Sequence, residues 1–314
     1  MSRLSQIMDN SHNSIIGTFL SRPCIKHPAN PLLKRGVPGE FDHLNIHAPM
    51  VVYHAGQYWM FYSGGPCGPP DHEYVEYQLS LATSRDGISF EKLGHPILPL
   101  GERDNFHTCM ALLRDAEGRF LLEDGVWKAW FNGNRENDLE LATSVDGVHW
   151  EKHPASPVTT GAYSPTIIKD GELYRMWYTT GVFGEFDISY AESRDGINWR
   201  HRDEPVLTRG SGWDSHNALY PHVLKLNGVY HMFYTGMTSG RCSMGLAISR
   251  DGIAWEKDKN NPFIEPGPEK WDCVYSSCPS VVRTPEGKWR LYYAGRKDMI
   301  HKYHAIGMAE FDAQ

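Results

Sequence analysis

The stretch Ser193-Arg194-Asp195-Gly196-Ile197-Asn198-Trp199 decides the fold, because it recurs. Near copies read Ser84-Arg85-Asp86-Gly87-Ile88-Ser89-Phe90, Ser144-Val145-Asp146-Gly147-Val148-His149-Trp150 and Ser249-Arg250-Asp251-Gly252-Ile253-Ala254-Trp255. Each lies between a strand of small residues and a second strand that ends in a Pro-aliphatic pair. Asp-Gly between two apolar runs is a tight hairpin signal, since glycine accepts positive φ and aspartate caps its own turn. A hairpin returning at roughly fifty to sixty residues marks a repeat architecture.

Working outward, each copy is preceded by two more strands. The nearer is aromatic on both faces: Tyr58–Gly64, Trp127–Gly133, Tyr174–Thr179, Tyr230–Gly236 and Trp289–Gly295. Such a strand is buried on both sides, between neighbouring sheets. Ahead of it runs a short aliphatic strand, usually opened by proline, as in Pro49-Met50-Val51-Val52 and Pro221-His222-Val223-Leu224. Proline at a first strand residue costs no ladder bond. The unit is therefore four strands, and five units tile the chain. Four-stranded units repeated radially predict an all-β, five-bladed β-propeller of antiparallel blades. The fifth unit stops after its third strand, at Ala305–Glu310, and its fourth is expected from the N-terminus. There His27–Leu33 resembles Lys259–Ile264. The ring is thus expected to close through its N-terminal strand, with residues 1–15 as a flexible arm and 16–314 as a single domain.

Composition narrows the function. The chain has 314 residues, 40% hydrophobic and 12% aromatic, enough for one large core. A net charge of -7 with no basic run gives no footprint for nucleic acid. Met1–Gln6 lacks the apolar core of a signal peptide, and no stretch is long enough to span a bilayer as a helix. The 6 cysteines form no Cys-x-x-Cys pair. Reduced thiols and a cytoplasmic location are expected.

In a blade the innermost strand starts on the face where the second strand ends, so the chemistry is expected around one axial funnel. Aspartate turns precede four inner strands, at Asp42, Asp104, Asp214 and Asp272; their repetition favours structural caps. Histidines His47, His107 and His216 follow, with His222 inside a strand and Tyr163 and Tyr220 at comparable rim positions. After the aromatic strands come polar loops carrying Arg135, Glu185, Arg241 and Arg296. Arg, Asp, Glu, His and aromatics around a funnel suit a polyhydroxylated or anionic small molecule.

The Trp-Asp turns before proline (Trp213-Asp214 to Pro221, Trp271-Asp272 to Pro279), the strand Gly228-Val229-Tyr230-His231-Met232-Phe233-Tyr234-Thr235-Gly236 and the Ser-x-Asp-Gly-x-x-Trp loops together resemble the five-bladed propellers of the glycoside hydrolase family 43 and 32 superfamily. That superfamily includes the mannoside phosphorylases. The resemblance covers nearly the whole chain from about Ser21 and implies a glycoside-active enzyme. It also implies three carboxylates that this chain lacks. The general-base position is Ala48, the second-blade position falls in Cys109-Met110-Ala111, and the acid position falls in Leu219-Tyr220-Pro221.

Three readings follow. The first is a glycoside-hydrolase-like enzyme acting on a small glycoside or polyhydroxylated metabolite. Its catalytic groups would be Glu185, Asp42, Asp104 and Asp214, and its binding groups His47, His107, Arg135, Tyr163, Tyr220, Arg241, Asp272 and Arg296. The second is a metal-dependent enzyme with a divalent ion on His47, His107, His216 and His222. The third is a propeller that recognises a carbohydrate without turnover. No organic cofactor is expected in any of them, and the only partner expected is a sugar-like small molecule, with no nucleic acid or membrane.

Overall fold

In the computed structural model, which describes residues 20–65, 77–100, 106–133, 138–182, 184–268, 271–298 and 305–313, each Ser-x-Asp-Gly stretch is a loop locked by its own aspartate. Asp86 Oδ1 accepts the N–H groups of Ile88 and Ser89 and the Ser84 hydroxyl, each at 2.8 Å. Gly87 N–H donates back to Ser84 Oγ at 2.9 Å. Asp146, Asp195 and Asp251 repeat the pattern. The loop is longer than the expected tight hairpin: the strand Gln78–Ser84 pairs with the two-residue strand Glu91–Lys92, leaving residues 85–90 between them. The physical reason is that aspartate bonds the N–H groups two and three residues on, which widens a two-residue turn into an Asx loop.

The strands fall into successive antiparallel sets. The first is Asn45–His54, Gln57–Gly65, Gln78–Ser84 and Glu91–Lys92. The second is His107–Leu112, Trp127–Gly133, Asp138–Ser144 and Glu151–Lys152. The third is Tyr163–Asp170, Leu173–Val182, Glu185–Ser193 and Arg200–His201. The fourth is Asn217–Leu226, Val229–Thr238, Arg241–Ser249 and Glu256–Lys257. Tyr275–Arg283, Trp289–Arg296 and Ala305–Ala313 continue the pattern. The fold is all-β, and among the described residues there is no helix.

The last set is completed from the other end of the chain. Leu20–Lys26 and Leu33–Lys34 both pair with Ala305–Ala313. The register is that of the other fourth strands: Lys92 opposes Ala82, Lys152 Ala142, His201 Ala191 and Lys257 Ala247, and Lys26 opposes Ala309. Residues 1–15, expected as an arm, lie outside the described residues.

The core is divided into slabs between neighbouring sets. One slab joins Phe61 and Leu81 to Trp127 and Phe131, and another joins Trp177 and Tyr190 to Tyr230 and Met232. A further one joins Tyr292 and Met308 to Met60 and Tyr62. This is the two-sided burial expected of the aromatic strands, and each fully buried side chain contributes roughly 1.5–3 kcal/mol. Polar contacts align the slabs. Trp130 Nε1 donates to Gly196 O at 2.9 Å, Trp177 Nε1 to Gly252 O at 2.7 Å, and Tyr292 OH to Gly87 O at 2.8 Å. The innermost strands pack side by side in sequence order, and Tyr275–Arg283 packs against Asn45–His54.

Candidate functional site at the axis

Every innermost strand carries the same irregularity. Its pairing shifts by a residue, and the residue there takes a left-handed backbone: Ala48 (φ 49), Cys109 (φ 53), Ser164 (φ 46), Tyr220 (φ 52) and Cys278 (φ 57). Four of the five precede proline, which normally drives the preceding residue to extended backbone. A non-glycine residue held there costs on the order of 1–3 kcal/mol, so the surroundings must over-determine it. They do so through the preceding set. Cys109 N–H donates to Ser63 Oγ (3.2 Å), Ser164 N–H to Asn132 Oδ1 (2.8 Å), Tyr220 N–H to Thr179 Oγ1 (3.0 Å) and Cys278 N–H to Thr235 Oγ1 (3.1 Å).

These five residues line a cavity in which 40 Å³ is open to the centres of water-sized molecules. Thr166, His222 and Arg114 form part of its wall. Arg114 is buried, donating from Nη1 to His222 Nε2 (2.9 Å) and from Nη2 to Thr166 Oγ1 (2.6 Å) and Val223 O (3.2 Å). His222 Nε2 also accepts the Val281 N–H at 3.2 Å, so this nitrogen carries no proton. Burial, then the Arg114 charge, hold His222 well below its ordinary pKa. Burial pushes the Cys278 thiol up, which keeps it protonated and a poor nucleophile. Among the described residues, no Asp or Glu lines the cavity.

The sequence-predicted carboxylates lie elsewhere. Asp42 is buried, accepting Tyr62 OH at 3.0 Å and Lys92 Nζ at 2.6 Å. Asp214 takes Tyr234 OH at 3.1 Å and Lys257 Nζ at 2.5 Å, and Asp272 takes Tyr293 OH at 3.0 Å and Lys26 Nζ at 2.5 Å. Glycine is required beside two of these turns: a Cβ on Gly236 would meet Trp213 at 2.2 Å, and one on Gly295 would meet Trp271 at 2.4 Å. The catalytic roles expected for Asp42 and Asp214, and the binding role of Asp272, do not fit this geometry. Each carboxylate is spent tying an aspartate turn to the second and fourth strands of its set. Glu185 is 67% exposed, 3.6 Å from Arg209 Nη1, and does not line the cavity. Asp104 and Arg135 lie outside the described residues.

The histidines do not assemble as a ligand set. His47 is buried edge-on to Tyr77 (4.7 Å), and burial, then the Arg296 charge, lower its pKa to about 3. His107 is buried against Phe131 at 4.9 Å, His216 is exposed, and His222 is held by Arg114. Among the described residues no three His, Cys, Asp or Glu side chains are grouped to hold a metal ion. The expected divalent-metal site is corrected accordingly, because two of these rings are packed against aromatics and a third accepts hydrogen bonds from a guanidinium and a backbone N–H.

Of the other expected binding groups, Tyr220 lines the cavity. Tyr163 OH lies 3.1 Å from Tyr220 OH, and their rings are 5.8 Å apart. Arg296 is buried over the Tyr275 ring at 4.2 Å. Arg241 is half-exposed, 3.8 Å from Glu265. Sequence reasoning missed Arg114, Ser164, Thr166, Cys109 and Cys278. The available signal was Ala111, a small residue where the other inner strands place Met50, Thr166, His222 and Ser280, leaving room for a long side chain.

Comparison with known proteins bears on this site. The family profile of glycoside hydrolase family 130, described as β-1,4-mannooligosaccharide phosphorylase, matches residues 156–304. An uncharacterised protein of Mycobacterium tuberculosis is 30% identical over 234 residues, which are 70% of this chain and 77% of that protein. The family 130 match spans just under half of the chain. Among solved structures it is similar to one described with the family 130 mannoside phosphorylases that contain glycoside hydrolases targeting β-1,2 mannosidic linkages in Candida mannan. The TM-score is 0.73 at 17% identity, covering 93% of this chain and 94% of that one. A thermostable family 43 glycoside hydrolase gives a TM-score of 0.66 at 16% identity, covering 88% and 91%. At these identities the structural likeness is one of fold, propeller-like as the repeat predicted. To that fold this chain adds the left-handed ring and a cavity wall bearing Arg114 and His222.

Proposed function

We propose that this chain is a single five-bladed propeller, closed by its N-terminal strand, that cleaves a mannoside by phosphorolysis at the mouth of the axial cavity. The observation that carries this reading is the charge of the described site. Arg296 is a buried cation over the Tyr275 ring, while the buried aspartates Asp42, Asp214 and Asp272 are held by Tyr and Lys partners. Hydrolysis by two carboxylates needs a pair of acids about 5–9.5 Å apart across the sugar. Phosphorolysis needs one proton donor, because inorganic phosphate is itself the nucleophile and is drawn by cations. The anomeric C–O bond to the leaving sugar breaks and a C–O bond to phosphate forms; the leaving oxygen gains one proton and hydrogen phosphate loses one, so the step is balanced. Tyr163 and Tyr220, with rings tilted 58° to each other, offer apolar faces with polar tips, suited to a sugar ring. The family 130 match and its β-1,4-mannooligosaccharide phosphorylase description support mannosides as the substrate class.

The test is incubation with β-1,2- and β-1,4-mannobiose, with and without inorganic phosphate, followed by phosphorus NMR. Mannose 1-phosphate formed only with phosphate is expected. Free mannose released equally in its absence would make the enzyme a hydrolase, and binding without cleavage would reject turnover.

A further inference from the structure

We propose that Arg114 holds a chloride-sized monovalent anion in the axial cavity, a site separate from sugar chemistry at the mouth. The guanidinium is 1% exposed and lines the cavity. Its three hydrogen bonds go to neutral acceptors: an imidazole nitrogen, a hydroxyl and a backbone carbonyl. Among the described residues it makes no ion pair, and its Nε, a further N–H donor, has no partner. The adjacent carboxylate, Asp115, acts on Arg114 only through its charge and is hydrogen-bonded by Arg119, whose Nε lies at 2.7 Å and whose backbone N–H lies at 2.9 Å. Burial pulls the Arg114 pKa down to about 10, which leaves it charged at neutral pH.

A desolvated guanidinium without a counter-charge is costly, and natural structures pair such groups. The described wall supplies no carboxylate, and His222 is an acceptor, so among the described residues nothing in the wall balances the charge and a bound anion would. The room available selects its size. One water needs about 10–15 Å³ of this kind of space, so 40 Å³ accommodates a halide or a few waters. A halide fills that room with one atom, and a tetrahedral oxyanion is the larger competitor that the test separates from it. The inference does not depend on the phosphorolysis reading and is tested without any sugar.

Crystals of the full chain soaked in sodium bromide and measured at the bromine absorption edge should show one anomalous peak within hydrogen-bond distance of Arg114 Nε. In solution, melting in sodium chloride is compared with sodium gluconate at matched ionic strength. Above the dissociation constant, each tenfold rise in chloride should raise Tm by about 2 °C, and gluconate should not. Arg114→Met, an apolar replacement of similar length, should lose the chloride dependence. If that variant does not fold, the bromide peak in the unaltered protein decides the matter. An ordered water at Nε with no bromide peak, equal melting in chloride and gluconate, or bromide only at surface lysines (an adventitious ion only) would overturn the proposal. Equal protection by phosphate would overturn the size assignment.

Discussion

Asn30 offers a direct measure of how much the N-terminal strand contributes to the fold. Its side chain clips a strand at the far end of the chain: Nδ2 donates to Met308 O at 2.8 Å, and Oδ1 accepts Met308 N–H at 2.9 Å. Asn261 makes the same clip within the fourth set, on Leu246 O and Leu246 N–H, both at 2.9 Å. In both places the carbonyl keeps a second donor, His27 N–H or Asp258 N–H, each at 2.9 Å. Asn30→Ala therefore strands one N–H and removes one further bond. An unsatisfied buried donor costs about 1–3 kcal/mol and the lost bond about 0.5–1.5, so about 2–4 kcal/mol in all. For 314 residues the unfolding entropy is about 0.66 kcal/mol/K, which converts this to a Tm loss of about 3–6 °C. Differential scanning calorimetry of Asn30→Ala beside Asn261→Ala is the assay, and equal losses are expected. If Asn261→Ala melts several degrees early while Asn30→Ala melts like the unaltered chain, the N-terminal strand is not an integral fourth strand and the closure reasoning fails.

Other outcomes are expected from the same contacts. Asp214→Ala leaves Lys257 and Tyr234 facing an emptied, buried position, so stability should fall by about 3 kcal/mol, the low end for a broken buried pair because Lys257 is part-exposed. Turnover measured well below its melting point should persist; a thousandfold loss with unchanged Tm would restore Asp214 as an acid. Glu185→Gln, at an exposed carboxylate, should leave turnover within about twofold, whereas a loss of a hundredfold or more is what removal of a general acid produces. The buried histidines predict acid sensitivity. His47 is lowered to about 3 and His231 to about 4, chiefly by burial, so the unfolded chain takes up protons first. Their contribution is complete above about pH 6.5 and is lost as pH falls toward 4 and 3, at up to about 1.4 kcal/mol per pH unit each. Urea titrations across that window should show the slope, and His47→Gln should reduce it; a flat profile would contradict the buried, neutral state.

The repeat was legible because its parts are local. Ser-x-Asp-Gly, the aromatic strand and the Pro-aliphatic strand each declare themselves within a few residues, and the likeness of His27–Leu33 to Lys259–Ile264 pointed to the N-terminal pairing. The candidate site was harder to read. The repetition of the aspartate turns favoured structural caps, yet Asp42 and Asp214 were also offered as acids and Asp272 as a binding group, because the partners that occupy them, Lys92, Lys257 and Lys26, stand 50, 43 and 246 residues away. Nothing local sets Arg114 apart from Lys169 and Lys225, which stand at the corresponding ends of their inner strands. The turn of Arg114 toward the axis depends on Thr166 and His222 from two other sets, a relation that no local pattern carries. The histidines were misread for a related cause: a ring buried beside Tyr77 or Phe131 has the same one-letter code as a ligand.

The pairing of Leu33–Lys34 with residues 305–306 also has a consequence during synthesis. Leu33–Lys34 is made long before the residues that pair with it. At 5–20 residues per second the ribosome needs roughly 15–55 s to travel between them, and for that interval an extended edge waits without its ladder. Pro28 and Pro31, with Lys26 and Lys34 beside them, are the residue types that blunt an edge against the wrong partner. The N-terminal segment thus reads as two designs laid over one another, a strand for the finished molecule and a guarded edge for the nascent one.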